Sequence, residues 1–158
     1  MKFIILFLFL LLSNNLISQT NNELKMENQY DSSYAEKLGA DDYGMKKYVM
    51  AFLKSGKADL KNESEAQQLQ MEHMNNIMRM AEEGKLLIAG PFTDNGELRG
   101  IYIFNVATVE EAEELTSTDP AIKAGVLVME LHPWYGSAAL MEVNSIHKKL
   151  QKKSFTDE

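Results

Sequence analysis

The stretch that most restricts the fold is residues 83–106, EGKLLIAGPFTDNGELRGIYIFNV. It reads as two extended segments, residues 85–90 and 99–106, joined by a loop that carries Gly90-Pro91 and Asn95-Gly96. Glycine tolerates positive φ, proline fixes φ and withholds a donor, and asparagine hydrogen-bonds its own backbone, so both pairs are turn punctuation. A helical pattern lies just before this hairpin and another just after it. The rest of the chain has to pack against a β-β unit flanked by helices.

Residues 1–18 read as a signal peptide. Lys2 is followed by an apolar run over residues 3–12, then by Ser13-Asn14-Asn15 and a small Ser18. That order is a charged region, an apolar region and a cleavage zone. The run is too short to span a bilayer, which takes about 20 apolar residues. The expectation is export to the periplasm or beyond, with no stable membrane insertion of the mature chain. With no cysteine among the 158 residues, disulfides, thiolate nucleophiles and cysteine ligands are excluded. Cleavage would remove Lys2 as the only charged residue, taking the formal charge from −7 to −8. So acidic a chain is a poor partner for phosphate backbones, whose affinity for proteins comes mainly from Lys and Arg, so nucleic acid and anionic lipid are disfavoured.

Residues 19–44 form a polar lead-in, with a short helix around residues 34–38. Tyr30, Tyr34 and Tyr43 leave two readings open there, docking of the segment or plain disorder. Residues 45–54 are the first strand. Tyr48, Met50 and Phe52 fall on one face and Val49, Ala51 and Leu53 on the other, as in a central strand covered on both sides.

From Glu63 the period becomes helical. Ser64 and Gln67 fit a capping box, Leu69, His73, Ile77 and Met80 share a face, and Gly84 supplies the stop. The methionines of this helix read as core filling. Thr108 and Glu111 fit a second capping box, and Asp119-Pro120 is an N-cap followed by proline at the first helical position. Residues 126–132 form a last strand, and residues 137–150 a C-terminal helix with lysines at its negative end.

The predicted fold is therefore α+β, a ferredoxin-like βαββαβ antiparallel sheet over residues 45–135, with residues 136–158 as helix and tail. A domain of about a hundred residues has much surface for its volume. A second subunit's sheet is the simplest cover for the open face, so a homodimer is expected.

His73 is the first candidate for chemistry. On a buried helix face its imidazole has either a structural hydrogen-bond partner or a role as general acid or base. Asp119 has a structural task as an N-cap, and can also hold a histidine in one tautomer if the fold brings the two together. His132 ends the last strand, and His147 reads as surface. Arg99 can position an anion at a cleft mouth, while Phe92, Tyr102 and Trp134 offer aromatic walls to a small ligand. Three scattered histidines give no zinc spacing, and no phosphate loop follows Gly84 or Gly90, so neither metal nor cofactor is expected.

Several pieces in order resemble the YCII-related family over roughly residues 46–133. They are EHMNNIMRMAEEGKLLIAGPFTDNGELRGIYIF, with its histidine and G-x-L-x-x-A-G-P, then Asp119-Pro120 with Ala124-Gly125, and His132-Pro133-Trp134. The resemblance implies a ferredoxin-like fold that forms a dimeric α+β barrel. It also implies a catalytic pair, which falls here on His73 and Asp119. Characterised relatives include dehydrochlorinases of small chlorinated hydroxyquinones, and related barrels include lactone isomerases and monooxygenases that need no prosthetic group.

The expected function is a cofactor-independent lyase or isomerase acting on a small aromatic or enolic molecule. The alternatives are a periplasmic ligand-binding or accessory protein without catalysis, and a structural partner of an envelope assembly.

Overall fold

The computed structural model describes residues 30–94 and 96–154; the predicted signal peptide and the first part of the lead-in lie outside them. Helix α1, Ser32–Leu38, comes first and buries Leu38. After it Asp41 closes a turn, its carboxylate accepting from the Tyr43 and Met45 N–H groups at 2.9 and 3.0 Å. Tyr30, Tyr34 and Tyr43 stay exposed.

Strand β1, Met45–Ser55, is the centre of the molecule. Its apolar residues alternate between two faces: Val49, Ala51 and Leu53 are buried on one, whereas on the other Tyr48 is buried and Met50 and Phe52 are only half-buried. Helix α2, Glu63–Glu82, begins at Asn62, whose side chain accepts from Glu65 N–H. The predicted Ser64 cap thus lies two residues too late. Glu65 instead accepts from Lys61 N–H, satisfying a donor just outside the helix. Gly84, at φ +68°, supplies the left-handed residue that ends α2.

The hairpin follows as β2, Leu86–Pro91, and β3, Leu98–Phe104. Helix α3, Val109–Thr116, carries the full capping box of Thr108 and Glu111. Helix α4, Pro120–Lys123, is a single turn capped by Asp119. Strand β4, Leu127–Ser137, runs five residues past the predicted end because it pairs with β1 along its whole length, from Ser55 opposite Leu127 to Met45 opposite Ser137. A 3-10 turn, Ala138–Glu142, leads into α5, Val143–Leu150.

All pairings are antiparallel, in the order β2-β3-β1-β4. The expectation of a ferredoxin-like βαββαβ sheet closed into a dimeric α+β barrel is corrected accordingly. The fold is mixed α+β with an open four-stranded sheet, its second crossover is split into α3 and α4, and further helices flank it at both ends. Strands β2 and β4 are edges that do not pair with each other. Four strands are too few to curl shut around a filled interior, which takes about eight.

The two sheet faces are packed differently. On the helical side Val49, Ala51, Leu53, Tyr102 and Phe104 meet Met80 and Ile77 of α2, Leu115 of α3 and Leu86. Burying each large side chain there stabilises by about 1.5–3 kcal/mol. On the other side Tyr48, Leu87 and Ile103 are covered by Trp134, Leu140 and Met141, leaving Met50, Phe52 and Ile101 partly exposed. Helix α5 docks through Asn144, whose amide donates to the Leu86 carbonyl at 2.9 Å. That bond occupies an edge-strand acceptor that would otherwise invite another strand.

Candidate functional site

Asp119 is where α4 and α2 meet. Pro120 occupies the first position of α4 and has no N–H to satisfy, so the cap serves the next donor: Ala121 N–H donates to Asp119 Oδ1 at 2.8 Å. The same carboxylate receives His73 from α2, with Nδ1 at 3.0 Å from Oδ1 and 2.8 Å from Oδ2. The structural and the histidine-holding readings of Asp119 hold together in one side chain. It is fully buried, and His73 is only 8% exposed.

Two further layers support the pair. Asn76, one helical turn from His73, reaches Asp119 Oδ2 with its amide nitrogen at 3.5 Å. Its own carbonyl accepts from Thr118 Oγ1 at 3.0 Å and from Arg79 at 2.9 Å, and Arg79 also bonds Thr118 and Glu83. The segment that carries Asp119 is thereby tied to α2 by side chains. On the other side of the imidazole stands Tyr102 of β3, its hydroxyl 3.3 Å from His73 Nε2, with the rings 6.4 Å apart and inclined by 20°. Burial, reinforced by the negative charge of Asp119, pushes the Tyr102 phenol well above its ordinary range and keeps it protonated. Among the described residues, no buried side-chain polar atom here lacks a partner.

The arrangement is chemically directional. A carboxylate only accepts, so Nδ1 of a neutral His73 donates to it and Nε2 carries the lone pair. A proton arriving at Nε2 would produce an imidazolium beside the Asp119 charge, which stabilises it.

The other predicted residues go elsewhere. Tyr102 joins the dyad, as a hydrogen-bonding phenol instead of the expected aromatic wall. His132 pairs across from Met50 and Trp134 from Tyr48, which places both on the opposite sheet face. There His132 contacts Glu130 at 2.8 Å and the edge of Phe52, and Glu130 also binds Lys54. Lys54 first, then His132, holds the Glu130 carboxyl below its ordinary value. Arg99 alternates with Gly100 and Tyr102 on β3 and is exposed on the face away from the dyad, while Phe92 is exposed beyond the end of β2. An open groove of about 330 Å³ lies by Lys47, Tyr48, Pro133, Trp134 and Tyr135, away from His73.

Asn76, Thr118 and Arg79 were missed by the sequence reading. Asn76 was detectable, since it lies three residues from His73 on the same helical face and a polar side chain there needs a partner. No group of three or more His, Asp or Glu converges as a metal site among the described residues, and no described helix is long and apolar enough to cross a membrane.

The sequence profile described as the YCII-related domain matches residues 48–135, more than half of the chain. The matched span runs from β1 through most of β4 and contains His73, Tyr102 and Asp119. No curated protein matches the chain.

Proposed function

We propose, from the premise that this chain belongs to the YCII-related family, that it is a cofactor-independent enzyme of the lyase or isomerase type acting on a small aromatic or enolic molecule. The observation that supports this most is the buried bond between His73 Nδ1 and Asp119, at 2.8 Å. It leaves Nε2 as the proton-accepting atom. In the reaction a substrate C–H or O–H bond breaks, its proton passes to Nε2, and the electron pair stays on the substrate as an enolate or phenolate. An isomerase returns the proton at another atom, whereas in a lyase the electron pair expels a leaving group with its bonding electrons and Nε2 passes its proton to that group or to water.

The expected outcome for His73→Ala, assayed on a panel of small hydroxyquinones and enols, is loss of turnover with the fold retained. Asp119→Asn lowers kcat by about a hundredfold or more, the usual contribution of a positioned acid–base group. An unchanged rate in His73→Ala on a substrate that the wild type converts would sink the assignment.

A second reading, ligand binding without catalysis, is favoured by one observation: the dyad is largely buried, whereas the groove by Trp134 is open. It predicts that ligand affinity persists in His73→Ala and falls in Trp134→Ala, as read by calorimetry. We also propose a homodimer through the partly exposed Met50, Phe52 and Ile101 face, and export with removal of residues 1–18. N-terminal sequencing of the mature protein checks the cleavage.

A further inference from the structure

The reacting nitrogen of the proposed dyad already has a partner. Asp119 takes Nδ1, and among the described residues the only other titratable group bonded to the ring is Tyr102, whose hydroxyl lies 3.3 Å from Nε2. With Nδ1 protonated, Nε2 has a lone pair and no hydrogen, so the phenol must be the donor. Tyr102 is 2% exposed and lies on the buried face of β3 between Gly100 and Phe104, where its ring packs edge-on against Phe104 at 5.7 Å. Its hydroxyl thus has a fixed position. Other charged groups stand further off: Arg79 reaches the Asp119 carboxylate through Asn76, not the ring, and β2, with the sequence LLIAGP, offers no titratable side chain.

We infer that Tyr102 is a positioning residue for His73: it donates to Nε2, holds the ring in the Nδ1–H tautomer together with Asp119, and masks the proton-accepting atom in the resting protein. A molecule that uses Nε2 then has to take over the place of the Tyr102 hydroxyl. The chemical class that fits is one with an acidic O–H of its own, a phenol or an enol, since it replaces the lost donor and leaves no lone pair unpaired. This last step rests on the reading of His73 as the proton carrier; the hydrogen bond itself does not.

The test is a long-range 15N–1H correlation spectrum of the histidine rings in the full mature chain, recorded with the rings neutral. In the wild type, His73 shows the Nδ1–H pattern, with Nε2 displaced upfield from the position of a free, unprotonated ring nitrogen. Tyr102→Phe keeps the ring and its packing, and Nε2 moves downfield to the free position while Nδ1 stays protonated. Replacing Tyr102 by 3-fluorotyrosine, whose O–H is a stronger donor, moves Nε2 further upfield. Opposite shifts in the two variants support the donor role. An Nε2 resonance already at the free position in the wild type, no response to Tyr102→Phe, or shifts of the same sign in both variants would overturn it. Because no substrate enters this measurement, a positive result together with full turnover in His73→Ala would reject the enzyme reading alone, and a negative result would reject the Tyr102 role alone.

Discussion

At the scale of single residues, Tyr102 links the site to stability. Its phenol is raised by burial and by the Asp119 charge, and Tyr48 is raised by burial as well. Below about pH 10, the ordinary phenol value, both folded and unfolded chains hold these protons and the contribution is present in full. Above it the unfolded chain releases them first, so stability falls as the pH rises, by up to about 1.4 kcal/mol per pH unit for Tyr102. Denaturant unfolding at about pH 9 and about pH 11 should show this loss, and Tyr102→Phe should make it shallower. Asp119→Ala removes the acceptor shared by Ala121 N–H and His73 Nδ1 and strands two buried donors. The expected cost is about 2 kcal/mol or more, read as a lower unfolding midpoint. The histidine's burial and the aspartate's cap were both legible in the chain, one from helical spacing and the other from the proline after it. Their contact joins residues 46 positions apart, and local pattern carries no information about such a distance.

At the scale of elements, the helix ends separate local from nonlocal causes. Thr108 and Glu111 satisfy each other's neighbouring donors within four residues, and the predicted box forms as written. At α2 two polar residues compete for the same role, and Asn62 takes it while Ser64 sits inside the helix. Asn62→Ala should therefore destabilise by about 1 kcal/mol, whereas Ser64→Ala should change little. Equal effects in thermal unfolding would contradict the observed cap. The hairpin carries a constraint that its turn residues do not show. A Cβ on Gly100 would lie 2.6 Å from the Gly90 carbonyl oxygen, across the β2–β3 pairing. Gly100→Ala has to push these backbones apart next to Tyr102, and an expected loss of about 1–3 kcal/mol follows. Strand β4 shows the same separation of causes. Its sequence contains Pro133 and Gly136, which usually end strands, yet eleven residues pair with β1 because the proline lies on an edge strand.

At the scale of the whole molecule, the open sheet leaves one face half covered. Met50 and Phe52 of β1 pair across from Ile103 and Ile101, and the Phe52 ring meets His132 of the Lys54–Glu130–His132 cluster. On the proposed dimer, Phe52→Asp places a charge in the apolar centre of the contact and should yield a monomer in sedimentation velocity; an unchanged mass would place the interface elsewhere. The sequence alone determined the order of strands and helices, because side-chain period and turn chemistry act over a few residues. It also determined that both alternating faces of β1 are apolar, though one of them is only half covered, and that His73 is buried. The meeting of His73, Asp119 and Tyr102 was decided by the tertiary structure, as was the separation of that group from Arg99, His132 and Trp134 by the thickness of a sheet. The register of β1 against its two neighbours sets which side each residue faces, and a shift of one residue would exchange the two groups. Closure was decided at the same level: four strands with unpaired edges give an open sheet, and no local pattern reports how far a sheet will curl.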